Sequence, residues 1–536
     1  MTLESTASAE ASGALPVRLA GLLNPRAYPH PLVRVSLLQT PLSWVLLAGA
    51  FAYKIKRPVH YAFLDQRTLQ RRRELCEEEL RLNRRFAPQL YQDVCSIVAA
   101  SGGVVVRSAA GAGETVIEYA VRMLRFGAAE RLDRLLAEGR IEPAALAAFG
   151  RALAVLHATL PVVTEDVPWG RPEHVSTMLL RNLDECAAAS SVFAAGAAVM
   201  ALRARLEQRL FVARPWMALR RTSGRVRECH GDLHSRNITR WADQLIAFDC
   251  LEYEPTFRWI DVADEIAFLV SDLAARHYGV HAHAFRSAYL EHSGDYHACR
   301  VLKLYEAHRA LVRAKVAALA AASTPAATAR AAWRKEHALL LAHAQRALSE
   351  PHPRLVLMSG LSGTGKTWLA RQLAVRLDAL HIRSDVERKR RAGMMLLERS
   401  GAGVAQGMYA SDASADVHED MARAARDALI GGVTVIIDAT LLRRAERRRF
   451  ADLGAQLGIR PSVVCCQAPV PVLRARLLTR AAAGADPSEA DTSVLEWQRL
   501  RAEPVGEDEP LDVVVVDVED SRVVDDVLER LQVDRT

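Results

Sequence analysis

The sequence lacks the usual marks of a disulfide frame or a metal knuckle. Its eight cysteines (Cys76, Cys95, Cys186, Cys229, Cys250, Cys299, Cys465 and Cys466) are spread widely and form no C-x-x-C pair. That fits reduced, buried thiols. No apolar run is long enough to cross a bilayer. The longest near the N-terminus, Trp44 to Tyr53, stops at Lys54. The first fifteen or so residues are rich in Ser, Ala and Glu without an apolar centre, so a signal peptide is not expected and a cytoplasmic location is. A strong charge bias is also missing. Lys+Arg number 70 against 63 Asp+Glu, a net charge of +7. That suits anionic substrates without requiring a nucleic-acid partner. Aromatics are only 6% of the chain. What is present is ordinary for a globular protein: half the residues are hydrophobic and a quarter charged. At 536 residues the chain is too long for one core, and two or three domains are expected.

The most informative stretch is Leu355 to Thr367. A short apolar run, Leu355 to Met358, reads as a buried strand. Gly360, Leu361, Ser362, Gly363, Thr364, Gly365, Lys366 and Thr367 follow, and a helical pattern begins at Trp368. This is G-x-x-x-x-G-K-[ST] between a strand and a helix. Glycines let backbone N–H groups converge on phosphate oxygens, and the helix start adds its positive end. Lys366 is expected on the outer phosphates and the Thr367 hydroxyl on Mg²⁺. A chance glycine-rich turn would not bring the flanking strand and helix with it.

A second phosphate-handling signature lies far upstream, in Cys229-His230-Gly231-Asp232-Leu233-His234-Ser235-Arg236-Asn237. Asp232 and Asn237 are five apart, the D-x-x-x-x-N spacing of a kinase catalytic loop. There the Asp takes the acceptor's proton and the Asn holds metal. Asp249 follows an apolar strand, Gln244 to Phe248, where kinases place a second metal-binding carboxylate. Oxygen donors of this kind clamp Mg²⁺ on nucleotide phosphates. His230 and His234 read as structural, bonding loop backbone. Just beyond, Asp261, Asp264 and Glu265 read as a helix cap and a solvated helix face. Upstream, Ser43 to Pro58 reads as two strands around Gly49, with Lys54 and Lys56 on one face. A polar helix, Leu69 to Arg85, contains Glu77, Glu78 and Glu79.

These upstream residues resemble the aminoglycoside phosphotransferase and choline kinase group, whose loop reads H-G-D-(L/F)-H-x-x-N. The resemblance covers roughly residues 30–325 and is strongest in Cys229–Asp249. It implies a bilobal protein-kinase-like fold with ATP between the lobes, Asp232 as base, and Asn237 and Asp249 as Mg²⁺ ligands. Lys54 would pair with the nucleotide phosphates and with Glu78 or Glu79, Glu79 being preferred and Lys56 an alternative to Lys54. Glu118 to Arg125 would be the hinge that bears adenine. The sequence departs from the pattern in having no G-x-G-x-x-G loop, only Gly49, and in following Asp249 with Cys250-Leu251-Glu252.

Beyond the phosphate loop, Leu380 to Ser384 reads as a strand, followed by Asp385 and Arg388. Such a carboxylate lies beside the crevice where acceptors bind in open α/β sheets. Asp385 is expected to take the acceptor hydroxyl's proton, with Arg388 orienting the acceptor. Val433 to Thr440 is a β-branched strand carrying Asp438, a metal-side carboxylate. Arg476 and Arg480, four apart on one helix face, are expected to act as a lid on the transferring phosphoryl group, with Asp486 to Ala490 close behind. This half, about 353–534, resembles the small P-loop kinases related to polynucleotide kinase and zeta toxin, an AAA-type ATP-binding group. The likeness implies a nucleoside triphosphate donor and a hydroxyl acceptor.

The expected architecture is therefore α/β: an N-terminal bilobal kinase-like α+β domain, then a P-loop domain with a parallel sheet flanked by helices. Residues 1–28 are expected to be irregular, 29–348 the first domain, 349–353 a linker marked by Pro351 and Pro353, and 354–536 the second. The preferred function is ATP·Mg²⁺-dependent phosphoryl transfer to small-molecule hydroxyls by both domains. One alternative makes the first half a nucleotide sensor. Another is a regulatory NTPase switch. A third is a nucleic-acid 5′-hydroxyl kinase, which Arg388–Arg391 and Arg443–Arg449 permit but no aromatic series accompanies.

Overall fold

The structure is a computed structural model of the chain, and it describes residues 15–61, 64–101, 103–400, 411–483 and 488–531, the side chains of 411 and 481–483 aside. It divides into two compact units. The first runs to Arg286 and takes up Leu304–Leu348. The second takes Ser287–Lys303 and runs on from Ser349. Among the described residues no helix is long and apolar enough to cross a membrane.

The first unit opens with an antiparallel six-stranded sheet. Its strands are β1 (Val35–Gln39), β2 (Ser43–Ala48), β3 (Phe51–Lys56), β4 (Tyr91–Ala100), β5 (Gly103–Arg107) and β6 (Val116–Leu124). Their order is β1-β2-β3-β6-β4-β5. Helix α1 (Leu69–Phe86) crosses from β3 to β4, capped by the Thr68 hydroxyl, which accepts from Arg71 N. Its buried Cys76 packs on Val121 and Met123 of one sheet face. The other face buries Trp44, Ile55 and Val106 against Leu19 and Leu22, which come from a 3₁₀ turn, Val17–Leu23. Of the N-terminal stretch expected to be irregular, residues 1–14 lie outside the described residues, and the rest is tied to this sheet.

Helices follow: α2 (Leu132–Ala137), α3 (Pro143–Thr159), α4 (Pro172–Ala189), α5 (Gly196–Met200) and α6 (Arg203–Thr222). Short strands then frame the polar loops: β7 (Val226–Glu228), β8 (Ile238–Trp241), β9 (Gln244–Ala247) and β10 (Trp259–Asp261). β7 pairs with β10 and β8 with β9. α7 (Val262–Ala275), α8 (Gly279–Ser293), α9 (Cys299–Ala322) and α10 (Ala327–Leu348) complete the series. The break between α9 and α10 falls at Ser323-Thr324-Pro325, where proline cannot continue a helix.

The second unit is a five-stranded, all-parallel sheet. β11 (Leu355–Ser359), β12 (Leu380–Arg383), β13 (Val435–Asp438), β14 (Ser462–Gln467) and β15 (Asp512–Asp517) lie in the order β12-β13-β11-β14-β15. The helices are α11 (Lys366–Arg376), α12 (Ser384–Arg391), α13 (Ser411–Ile430), α14 (Arg444–Leu457), α15 (Val470–Ala483), α16 (Thr492–Arg499) and α17 (Val523–Arg530). β11 is buried at every position; a parallel strand covered on both faces needs a continuous apolar run. Val356, Met358, Ile436 and Val464 form its core with Leu369, Leu373 and Val527. β11 and β13 run in register from Leu355↔Val435 to Met358↔Asp438. The phosphate loop and Asp438 therefore emerge at the same, C-terminal, edge.

Candidate active sites

In the first unit the loop from β7 to β8 is held by side chains that reach it from α7 and α9. The Glu265 carboxylate accepts His230 N–H at 2.7 Å and Gly231 N–H at 3.0 Å. Arg309 grips Asp264 through two bonds of 2.7 and 2.9 Å and donates to Gly231 O at 3.2 Å. Asp264 and Glu265 are buried, which corrects the expectation of a solvated helix face; Asp261 does cap α7, accepting Ala263 N–H at 2.8 Å. Gly231 stands at φ +85°, and a Cβ there would meet Phe257 O at 2.6 Å, so no side chain fits. His230 donates through Nε2 to Phe248 O at 2.8 Å and accepts Asp232 N–H on Nδ1 at 3.3 Å. Burial, against the pull of Asp232, drops its pKa to about 4.

This frame presents Asp232 and Asn237 together. Asn237 Nδ2 donates to Asp232 Oδ2 at 2.9 Å and to its carbonyl at 3.0 Å. The amide oxygen is thereby the Asn237 atom left for a cation. Asp249 adopts φ 67°, a left-handed conformation that Asp tolerates better than most residues. Tyr91 Oη accepts its N–H at 3.1 Å, and Asn83 Oδ1 accepts that of Cys250 at 3.0 Å.

Lys54 bonds Glu79 at 2.9 Å and also Asp249. Lys56 bonds Glu79 and Glu252. The two lysines share a face of β3, but only Lys54 touches Asp249. Lys56 is 2% exposed on its side chain against 14% for Lys54. Burial opposes the charge of Lys54, yet Asp249, Glu79 and Glu252 outweigh it and raise its pKa well above the ordinary value. Burial likewise works against Glu79, and the two lysines overcome it, taking it down to about 2. Glu78 faces elsewhere, bonding Arg81 and Arg258.

The expected hinge, Glu118 to Arg125, falls almost wholly on a strand. Through Leu124 it is strand β6, and Glu118 is buried in a two-bond pair with Arg72 at 2.9 and 2.7 Å. The chain leaves the sheet at Arg125. There Arg125, Phe126, Gly127, Glu130 and Trp241 line a cavity of about 670 Å³.

In the second unit Gly360 takes φ +140°, and a Cβ there would meet Cys466 O at 2.5 Å. The turn that follows is braced from within: Thr364 Oγ1 donates to Leu361 O at 2.9 Å, and Lys366 Nζ donates to the same carbonyl at 2.8 Å. Burial lowers the Lys366 pKa, opposed by Asp438 and Asp385. Ser362, Gly363, Gly365, Lys366 and Thr367 line one cavity of about 470 Å³. The same cavity is faced by Asp385 and Arg388 from α12, by Asp438 from β13, and by Arg476 and Arg480 from α15.

Asp438 accepts from His381 Nε2 at 3.0 Å. Burial would raise its pKa, but His381, Arg383 and Lys366 bring it below the ordinary range. Arg388 donates to Ser414 Oγ at 3.1 Å. Arg476 reaches Gly363 O at 3.4 Å and Glu519 at 3.0 Å, and Arg480 bonds Ala490 O at 2.7 Å. Asp486 lies outside the described residues. Sequence reasoning passed over His381, which leaves no motif, and Gln498 of α16, which accepts Ser362 N–H at 2.8 Å.

Both donor sets are hard oxygen groups that fit Mg²⁺: Asn237 and Asp249 in one unit, Thr367 and Asp438 in the other. Bound there, the ion would draw charge off the phosphate oxygens. A further carboxylate accompanies each set: Asp232, bonded to Asn237, and Asp385, on the lining of the second cavity.

Comparison with known proteins agrees with both halves. Residues 62–302 match the model of the phosphotransferase enzyme family, and residues 355–505 match an AAA domain. The uncharacterized protein Rv2004c of Mycobacterium tuberculosis (strain H37Rv) is 28% identical over 457 residues, 84% of this chain and 87% of that protein. The uncharacterized protein Mb2027c of Mycobacterium bovis is similar to the same degree. Among solved structures, a choline/ethanolamine kinase family protein from Mesorhizobium loti is similar over 62% of this chain and 97% of its own, at 13% identity and TM-score 0.31. A gluconokinase from Sinorhizobium meliloti is similar over 34% and 94%, at 17% identity and TM-score 0.25. By the two family matches, residues 62–302 form a phosphotransferase-family region and residues 355–505 an AAA-domain region carrying the phosphate loop, and the chain is an enzyme of the ATP-dependent phosphotransferase class.

Proposed function

We propose that both halves catalyse, each passing the γ-phosphoryl group of ATP·Mg²⁺ to a hydroxyl of a small-molecule acceptor. In the first, Asp232 takes the acceptor proton, Asn237 and Asp249 hold the metal, and Lys54 meets the phosphates. In the second, Asp385 is the base, Arg388 orients the acceptor, and the loop from Gly360 to Thr367 cradles the phosphates. Thr367 and Asp438 hold the metal there, while Arg476 and Arg480 neutralise the moving charge. The boundary between the halves is proposed at 349–353. The observation that carries catalysis in the first half is the Asn237–Asp232 bond together with the Lys54–Asp249 pair: a base, a metal-side amide, a metal-side carboxylate and a lysine are all present, which a mere sensor would not need.

Several of the basic residues that allow a nucleic-acid acceptor are engaged within the protein. Lys389 is buried on the carbonyls of Leu396 and Glu398. Arg391 pairs with Asp416 and Asp420, Arg444 with Asp508, and Arg447 with Glu509. This supports a small acceptor. A screen of hydroxyl metabolites with labelled ATP tests the proposal, run on the intact chain and its Asp232→Asn and Asp385→Asn variants. Each variant is expected to lose a different product. Loss of product from Asp385→Asn alone would return the first half to a sensing role.

A further inference from the structure

Among the polar side chains of the cavity beside the phosphate loop that the proposed chemistry does not use, Gln498 is bonded to the loop itself. Gln498 lies in the last turn of α16 and is 7% exposed. Its carboxamide oxygen accepts the Ser362 N–H at 2.8 Å. An N–H can only donate, so the oxygen's place is fixed, and the amide NH₂ is left with two donors at the lining of the cavity. The contact is built from two sides. Leu495, one helical turn before Gln498, packs with Leu473 and Leu477, and Leu361 of the phosphate loop rests on the same cluster. Asp491 caps α16, accepting from Ser493 N and Val494 N at 2.9 Å. Leu361 O, one peptide bond from Ser362 N, receives the Lys366 ammonium at 2.8 Å. In loops of this type the lysine serves the outer phosphates. A trans peptide points its C=O and N–H to opposite sides, so Lys366 and Gln498 hold the two sides of one peptide unit, and both line the same cavity.

We propose that Gln498 is a substrate-binding residue for the terminal phosphoryl group: its oxygen holds the Ser362 N–H in place and its NH₂ donates to a γ-phosphate oxygen. This rests on the phosphate-loop reading. A neutral donor adds a contact without adding charge beside Arg476 and Arg480, and it distinguishes a triphosphate from a diphosphate.

The test uses the full chain carrying Lys54→Ala, so that the first unit does not contribute to nucleotide binding. Affinities for Mg²⁺·ADP and for the Mg²⁺ complex of β,γ-imido-ATP are measured before and after Gln498→Ala and Gln498→Met. The methionine keeps the bulk over Ser362 and serves if alanine loosens α16. Loss of one hydrogen bond to a charged oxygen is expected to weaken the imido analogue about tenfold or more, with ADP affinity little changed. Equal losses for both nucleotides, or no loss for the analogue, would overturn the proposal. If the chain with Gln498 intact binds neither nucleotide, the phosphate-loop reading itself fails, an outcome distinct from the other two.

Discussion

Tyr296 donates a 2.6 Å hydrogen bond to Glu387, two residues after Asp385 on α12. Tyr296 belongs to Ser287–Lys303, the segment that packs in the second unit although it precedes that unit's first strand by more than fifty residues. Arg390 stacks over the Tyr296 ring at 5.5 Å and bonds Glu387 as well. From the same segment Arg300 reaches Asp427 at 2.7 Å. Tyr296→Phe leaves the buried Glu387 without that donor, a loss of about 1–3 kcal/mol. In the intact chain it should lower phosphoryl transfer at the Asp385 site while nucleotide affinity there stays the same. A thermal melt and a steady-state assay check this; unchanged stability and rate would show that the segment does not brace α12.

Asp232→Asn keeps the shape of the loop and its bond to Asn237 but removes the proton acceptor. First-site transfer is expected to fall about 10²–10⁴-fold, with nucleotide affinity within about threefold of the starting value. Single-turnover kinetics with labelled ATP, in an Asp385→Asn background, isolates that step. Full activity would remove Asp232 from the role of base.

Lys54 and Lys56 should separate cleanly. Lys54→Met is expected to weaken nucleotide binding at the first site, because the side chain borders Asp249. Lys56→Met leaves Glu252 and one oxygen of Glu79 buried and unpaired, a cost of about 3–5 kcal/mol, without contacting nucleotide. Urea unfolding beside nucleotide titration decides between them. The reverse pattern would make Lys56 the phosphate lysine.

Groups at the Asp232 loop and packed around its start titrate in opposite senses. Burial holds His230 near a pKa of about 4 and His157 near about 3. A depressed histidine contributes stability that is present above about pH 6.5 and lost as pH falls toward the folded value. Burial, against Arg309 and two backbone N–H groups, lifts Glu265 to about 7. Its contribution is present below about pH 4.5 and lost as pH rises to 7. These shifts are worth about 3–5 kcal/mol each, so Glu265 offsets one of the two histidines between about pH 5 and 6.5. Glu265→Gln removes the opposing term. The variant's melting temperature should then rise with pH across this window more steeply than that of the unaltered chain; equal slopes would contradict the assignment.

Much of this was readable along the chain, and what escaped did so for definable reasons. The strand, glycines and Lys366–Thr367 are consecutive, so local rules reach them. Asp232, Asn237 and Asp249 span one loop and one hairpin. Lys54 and Lys56 share a face by strand alternation, and only the tertiary position of Asp249 separates them. Glu78 and Glu79 are neighbours on α1 but point to different partners. Glu265 looks solvent-bound by charge alone; it is buried because α7 is covered nearly all round. The expected hinge falls on a strand because β6 continues through Leu124. Tyr296 and Gln498 carry no motif, since each acts through a contact distant in sequence.

The central claim, that one chain holds two separate nucleotide sites, is met most directly by titrating the intact protein with β,γ-imido-ATP and Mg²⁺ in a calorimeter. The account predicts two equivalents bound by the unaltered chain, one each by Lys54→Ala and Lys366→Ala, and none by the double variant. A single equivalent from the start, or a stoichiometry that ignores Lys366, would contradict it.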